Sequence, residues 1–211
     1  TIGVDVGTSS VKVLQLTKAG SGYRLEHVAS ETLPEGAYAE HSINNVDEVG
    51  STIRNAVQRS GSKAKHCAMA VSGSAVITKL IHLPGDLAED EIEGQIEIEA
   101  GQYIPYPRDE VSLDFEILGP SARNADVTEV LLAASKTENV ETREAVAEMA
   151  GLNARVIDVE AFAVANAFEL VRKRDGIPDS AVIAVLDIGD VRASLNVLRG
   201  GRSIYYRDHP F

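Results

Sequence analysis

Between residues 2 and 16 the chain runs through apolar residues to Asp5, breaks for Gly7-Thr8-Ser9-Ser10, and resumes an apolar alternation from Val11 to Leu16. Two short β-type runs about a polar, glycine-bearing turn predict a hairpin. A third strand is predicted over 23 to 33. From 46 to 59 the period lengthens, with Val46, Val49, Ile53, Ala56 and Val57 at helical spacing, Asn45 as N-cap and Gly61 as stop. A strand over 66 to 71 and an apolar run over 76 to 83 flank Ser72-Gly73-Ser74. Those serines lack the Gly-x-Ser-x-Gly setting of a nucleophile elbow, so a turn is the better reading. Past Pro84-Gly85, Asp86 with Glu89 reads as a capping box and Ile92, Ile96, Ala100 and Tyr103 form one stripe. Glu89, Asp90, Glu91, Glu93, Glu97 and Glu99 cover the other, solvated face, and Pro105 ends the helix. Strands are predicted over 111 to 118, 127 to 135 and 154 to 158, with a helix over 138 to 150 between the last two. An alanine-rich helix then opens at Glu160, where Ala161, Ala163, Ala165 and Ala167 give small faces, and Gly176 and Pro178 close it.

The first hairpin recurs. An offset of 182 places Asp5 on Asp187, Val6 on Ile188, Gly7 on Gly189, Val11 on Ala193, Val13 on Leu195 and Leu16 on Leu198 without a gap. The following turns, 19 to 22 and Gly200-Gly201, correspond roughly. Self-similarity at this distance predicts two related half-domains, each presenting an Asp-x-Gly turn. Gly7 is expected to supply a positive φ, so that the amides and hydroxyls after it face one concavity suited to phosphate oxygens, with Asp5 beside a hydrated Mg²⁺. An ordinary Asp-Gly turn with no ligand explains either hairpin taken singly.

Composition narrows the classes. Twenty basic against 32 acidic residues give a formal charge of −12, which argues against a nucleic-acid or anionic-lipid surface. A hydrophobic fraction of 44% with 25% charged residues is that of a folded soluble protein, and no apolar run approaches the length needed to span a bilayer. Cys67 is the single cysteine, which excludes an intramolecular disulfide or cysteine cluster and suits a small buried residue. The five histidines lack metal-ligand spacing and read as structural or exposed. The chain starts at Thr1, so it does not speak to a targeting segment; a cytoplasmic protein is the simplest reading.

Asp5-x-Gly7-Thr8 followed by Lys12, then Asp187-x-Gly189, with Glu160 opening an alanine-rich helix between them, resembles the phosphate-1, connecting-helix and phosphate-2 pattern of the actin-like ATPases. Actin, hexokinase, the heat-shock chaperone ATPases and FtsA share that pattern. Within the superfamily, IGVDVGTSSVKVLQL, the acidic helix leading to QYIPYP, and DVEAFAVANAF are similar to the PilM family of type IV pilus assembly, and the resemblance covers essentially the whole chain. It implies an α/β, actin-like (ribonuclease H-like) fold with a mixed sheet, flanking helices and an inserted α+β subdomain. Residues 1–84 would be the first part of subdomain 1A, 85–155 the inserted 1C, 156–178 the connecting helix of 1A and 179–211 the start of 2A. Relatives continue through the rest of that second half, which is truncated here.

The same resemblance implies ATP and Mg²⁺ as cofactors. Asp5 and Asp187 would approach the metal through its waters, Gly7, Thr8, Ser9, Ser10 and Gly189 would cradle the phosphates, and Lys12 would neutralise phosphate charge. Glu160 would orient the attacking water. From the residues alone, Lys12 is equally an exposed strand lysine and Glu160 a helix N-terminal acid. Asp190 adds negative charge where relatives keep small residues, with Arg192 a candidate counter-charge; this puts hydrolysis in doubt more than binding. The implied function is a cytoplasmic nucleotide-binding adaptor that binds the N-terminal cytoplasmic peptide of PilN at the inner membrane. Pilus motor ATPases are further partners, with no nucleic acid and no direct membrane insertion. The alternatives are a kinase or FtsA-type filament former of the same superfamily, and a degenerate domain that binds no nucleotide.

Overall fold

The computed structural model describes residues 1–20, 22–39 and 41–211, the side chains of Glu89 and Asp90 excepted. The expected turn over 19 to 22 and the acidic face of residues 89 to 99 therefore lie partly outside the described residues. In chain order the elements are β1 (Ile2–Val6), β2 (Ser10–Ala19), β3 (Gly22–Thr32), β4 (Tyr38–Ala39), β5 (Ser42–Ile43), α1 (Val46–Ser60), β6 (His66–Val71), β7 (Val76–Pro84) and α2 (Glu89–Tyr103). They continue with β8 (Val111–Pro120), β9 (Val127–Lys136), α3 (Thr137–Met149), β10 (Asn153–Val159), α4 (Glu160–Asp175), β11 (Val182–Ile188), β12 (Arg192–Arg199) and β13 (Arg202–Pro210). They fall into two units, Thr1–Ser74 with Glu141–Phe211, and Ala75–Val140.

The larger unit is built on a mixed sheet in the order β10-β6-β1-β2-β3, in which β1, β2 and β3 are antiparallel while β6 and β10 run parallel to β1. The alternation seen in sequence sets its inner face: Ile2 and Val4 of β1 and Val11 and Val13 of β2 are buried with Val49, Ile53 and Ala56 of α1 and Val146 of α3. Helix α1 begins and ends where its caps predict. The Asn45 side chain accepts from the Glu48 N–H at 3.1 Å, and Gly61 takes a left-handed φ of 74° that closes the last turn.

A second, antiparallel sheet of the same unit runs β11-β12-β13. Helix α4 packs on it with one small face: Ala161 and Ala165, four apart, are buried, whereas Ala163 and Ala167 lie on the exposed side. Buried Asn196 of β12 donates to the Ala161 carbonyl at 2.7 Å and so pins the start of α4 to this sheet.

The smaller unit is an antiparallel sheet in the order β7-β9-β8 with α2 upon it, and Ile92, Ile96 and Ala100 of α2 meet Ile81, Leu83, Val130 and Leu132. Its limits, Ala75 and Val140, differ from the expected 85 and 155. Strand β7 pairs with β9 along its whole length, while β10 joins β6 in the other sheet. Tyr103 is 39% exposed rather than part of the stripe, and α2 starts later than the Asp86–Glu89 pattern suggests. Ala88 occupies the cap, and its N–H donates to the Glu91 carboxylate at 2.8 Å. Among the described residues no helix is long and apolar enough to cross a membrane.

Candidate functional site

The two Asp-x-Gly hairpins of the larger unit share one backbone register. In the first, Val6 faces Val11 and Asp5 faces Lys12; in the second, Ile188 faces Ala193 and Asp187 faces Ser194, each partner 182 residues on. The Gly7 N–H donates to the Ser10 carbonyl and the Gly189 N–H to the Arg192 carbonyl, both at 2.9 Å. Leu33 N–H meets the Ser9 carbonyl at 2.9 Å, as Phe211 N–H meets that of Val191 at 3.1 Å. Even the irregularity recurs, between Gln15 and Leu16 against β3 and between Val197 and Leu198 against β13. A shared turn type does not bring a shared bulge five residues beyond the turn; the duplication is structural.

Gly7 and Gly189 suit their turns through close approach rather than through the positive φ expected of Gly7. Neither takes a positive φ. Instead the backbone closes on them: a Cβ at Gly7 would stand 3.3 Å from the Ser10 carbonyl oxygen, and one at Gly189 3.1 Å from that of Arg192. This close turn leaves the Thr8 and Ser9 amides without a hydrogen bond among the described residues, beside the Thr8, Ser9 and Ser10 hydroxyls. Such a run of outward N–H and O–H donors suits phosphate oxygens. Asp5 is exposed and is met by Lys12 Nζ at 3.3 Å, with side-chain exposures of 59% and 60%. An exposed pair of this kind stabilises the fold by about 0–1 kcal/mol, so both charges stay available to a ligand.

Glu160 opens α4 between the hairpins, about a third exposed. Burial raises its pKa; Arg192 opposes the rise, and the negative charges of Asp5, Asp208 and Asp187 add to it. The carboxylates of both hairpins are therefore electrostatic neighbours of one glutamate. The residues present fit a hydrated Mg²⁺ carrying phosphate oxygens: hard oxygen ligands on both sides, open amides and hydroxyls on the first hairpin, and a lysine. No cluster of three or more metal-ligating side chains occurs among the described residues, so contact through the metal's own waters is what Asp5 and Asp187 could supply. The second hairpin carries exposed Asp190 and Val191 where the first has Thr8 and Ser9, and presents fewer donors.

Arg192 does not pair with Asp190. Its Nη2 lies 3.5 Å from Glu160 Oε2, and its Nη1 lies 3.9 Å from Asp208 Oδ2, donates to Ser72 Oγ at 3.4 Å and donates to His41 Nδ1. His41 Nδ1 also lies 3.0 Å from Ser72 Oγ and from Ser74 Oγ. Burial lowers the His41 pKa and Arg192 lowers it further against the pull of Asp208, so its surroundings favour the neutral ring, and Nδ1 is the atom that faces the Arg192 donor. His41 holds the left-handed φ of 68° at the β4–β5 turn. Asp208 is 93% buried, and its two oxygens, like the Tyr206 hydroxyl, make no close hydrogen bond among the described residues, although burial and Asp208 together raise the Tyr206 pKa. Gly73 admits the Tyr206 ring, since a Cβ there would come within 2.5 Å of it. In sequence His41 has no metal-ligand spacing, Ser72 and Ser74 fit a turn, and nothing marks Tyr206 or Asp208. The offset of 182 holds the one available signal, because it aligns Arg192 with Ser10 of the phosphate-type turn.

A family model described as type IV pilus assembly protein PilM matches residues 3–211. Among solved structures, the chain is 29% identical to a chain of a PilM–PilN type IV pilus biogenesis complex, with a TM-score of 0.82 over 98% of this chain and 60% of that one. It thus spans 60% of the length of that relative. The cytoplasmic domain of EpsL, an inner membrane component of the type II secretion system of Vibrio cholerae, matches at a TM-score of 0.56 and 9% identity over 99% of this chain and 70% of that one. The ethanolamine utilization protein EutJ from Carboxydothermus hydrogenoformans matches at 0.50 and 16% over 99% and 51%. These last two likenesses show the fold alone. The fold is the actin-like one, with a mixed sheet, flanking helices and an inserted α+β unit, as the resemblance implied.

Proposed function

From the premise that this chain belongs to the PilM family of type IV pilus assembly proteins, we propose that it acts as a nucleotide-binding adaptor of the pilus machinery, whose output is capture of the N-terminal cytoplasmic tail of PilN. The observation that carries the reading is the likeness, at 29% identity and over 98% of this chain, to a chain solved in a PilM–PilN complex. The adaptor is cytoplasmic and reaches the inner membrane through that partner, and pilus motor ATPases are its further contacts.

Mg-ATP is the cofactor of this reading. Asp5 and Asp187 would hold the hydrated metal, the Thr8 and Ser9 amides and the hydroxyls of Thr8, Ser9 and Ser10 would take phosphate oxygens, and Gly7 and Gly189 let the backbone turn closely at these loops. Lys12 exchanges Asp5 for phosphate. Glu160, beside both aspartates, is the group able to orient a water. The metal, when bound, supplies neutralisation of phosphate charge. The test is calorimetric titration of the full-length protein with a synthetic PilN tail peptide, with and without Mg-ATP. Saturable one-to-one binding is expected, and a flat titration in both conditions overturns the adaptor reading.

A further inference from the structure

The duplicated hairpin makes one substitution conspicuous. Ser10 and Arg192 are equivalent residues, each giving its carbonyl to the turn glycine, and Lys12 is equivalent to Ser194. The first hairpin thus carries a hydroxyl at the turn and its cation two residues later. The second carries its cation at the turn and its hydroxyl two residues later. Lys12 is exposed and bound to Asp5, whereas Arg192 is 21% exposed and shared among Glu160, Asp208, Ser72, His41 and Tyr38.

That sharing is loose. Neither carboxylate is gripped bidentately: Glu160 is 3.5 Å away and Asp208 3.9 Å, distances that leave the five N–H donors of a guanidinium under-used. Asp208 shows the same incompleteness from its own side, since neither of its buried oxygens makes a close hydrogen bond among the described residues and its neighbour is the Tyr206 hydroxyl. A planar cation held between two carboxylates and bidentate to neither can exchange these contacts for a better anion. The unsatisfied oxygens of a terminal phosphate offer the bidentate geometry that guanidinium groups favour.

We propose that Arg192 is the residue by which this chain distinguishes a nucleoside triphosphate from a diphosphate: a terminal phosphate between the hairpins draws the guanidinium off His41, Ser72 and Asp208, and the backbone at His41 loosens. The inference rests on Mg-nucleotide binding between the two Asp-x-Gly turns. It adds a specificity-determining residue to that site and names His41, held in a left-handed backbone against Arg192, as the place where the change is felt.

The experiment uses full-length protein, Mg²⁺ with ADP or with a non-hydrolysable ATP analogue, and two readouts. By calorimetry, Arg192→Ala is expected to lose about tenfold or more in affinity for the triphosphate analogue, the size of a charge-assisted bond, and no more than about twofold for ADP; Arg192→Lys, which keeps the charge, retains part of the preference. By hydrogen exchange on unaltered protein, residues 38–43 exchange faster with the triphosphate analogue than with ADP. Equal losses for both nucleotides, or exchange at 38–43 that ignores the terminal phosphate, overturn the role of Arg192 while leaving nucleotide binding intact. Failure of the unaltered protein to bind either nucleotide overturns the site itself.

Discussion

Glu160 shows how a single side chain registers both halves of the duplicated site. Its carboxyl is pushed above the ordinary value of 4.5 first by burial and then by Asp5, Asp208 and Asp187, and Arg192 does not fully offset them. An acid whose pKa is higher in the folded than in the unfolded chain stabilises the fold relative to its ionised state only where it holds its proton. That contribution is complete below about 4.5 and is lost as pH rises through the folded pKa, so above the folded pKa the ionised Glu160 weighs against folding. Glu160→Gln is therefore expected to raise the Tm of the nucleotide-free protein by roughly 2 °C or more at pH 7 to 8. The gain shrinks on acidification and vanishes near pH 4.5. Scanning calorimetry of both proteins across that range checks it; a lower Tm for the variant at pH 8 would mean that the Arg192 contact outweighs the crowding of carboxylates.

Helix α1 meets the end of α3 through a glycine rather than through its cap residues. In an exposed helix interior Gly→Ala stabilises by about 1 kcal/mol. Gly50 is buried, and a Cβ there would lie 2.7 Å from Met149 Sδ and 2.8 Å from its Cβ and Cγ. The Arg54 side chain also donates to the Met149 carbonyl, which limits how far α3 can retreat. Gly50→Ala is expected to destabilise by about 1–3 kcal/mol in urea denaturation, with part of the loss recovered in Gly50→Ala/Met149→Ala; a stabilised single variant would show that the contact is slack. Nothing in the sequence marks Gly50, whereas Asn45, Gly61 and Gly176 were legible as caps because a cap is a local event. The start of α2 misled because Asp86–Glu89 and Ala88–Glu91 overlap, and the carboxylate that reaches back is the second one. The place of β10 beside β6 is a parallel, non-local pairing, which leaves no period in the chain.

At the scale of the molecule, the site is legible in sequence as far as the repeat reaches and no further. The offset of 182 located Asp5, Gly7, Asp187 and Gly189, whereas His41, Ser72 and Asp208 come from unrelated stretches that only the fold assembles. The repeat also carries a thermodynamic consequence. If one hydrated Mg²⁺ is held from both sides, Asp5 and Asp187 serve a single bound ion rather than two independent contacts, and removing either forfeits most of what the pair provides. Asp5→Ala and Asp187→Ala are each expected to weaken Mg-ATP binding by the full-length protein about 10–100-fold, the range for groups acting on a metal through its outer shell. The double variant should be little worse than either single one, because neighbours serving one ligand are not additive. Calorimetry with and without EDTA isolates the metal-dependent part, in which all three variants should bind ATP alike once the metal is removed. Strictly additive losses would place the two aspartates in separate roles, with the likeness of the hairpins a matter of ancestry rather than of shared work.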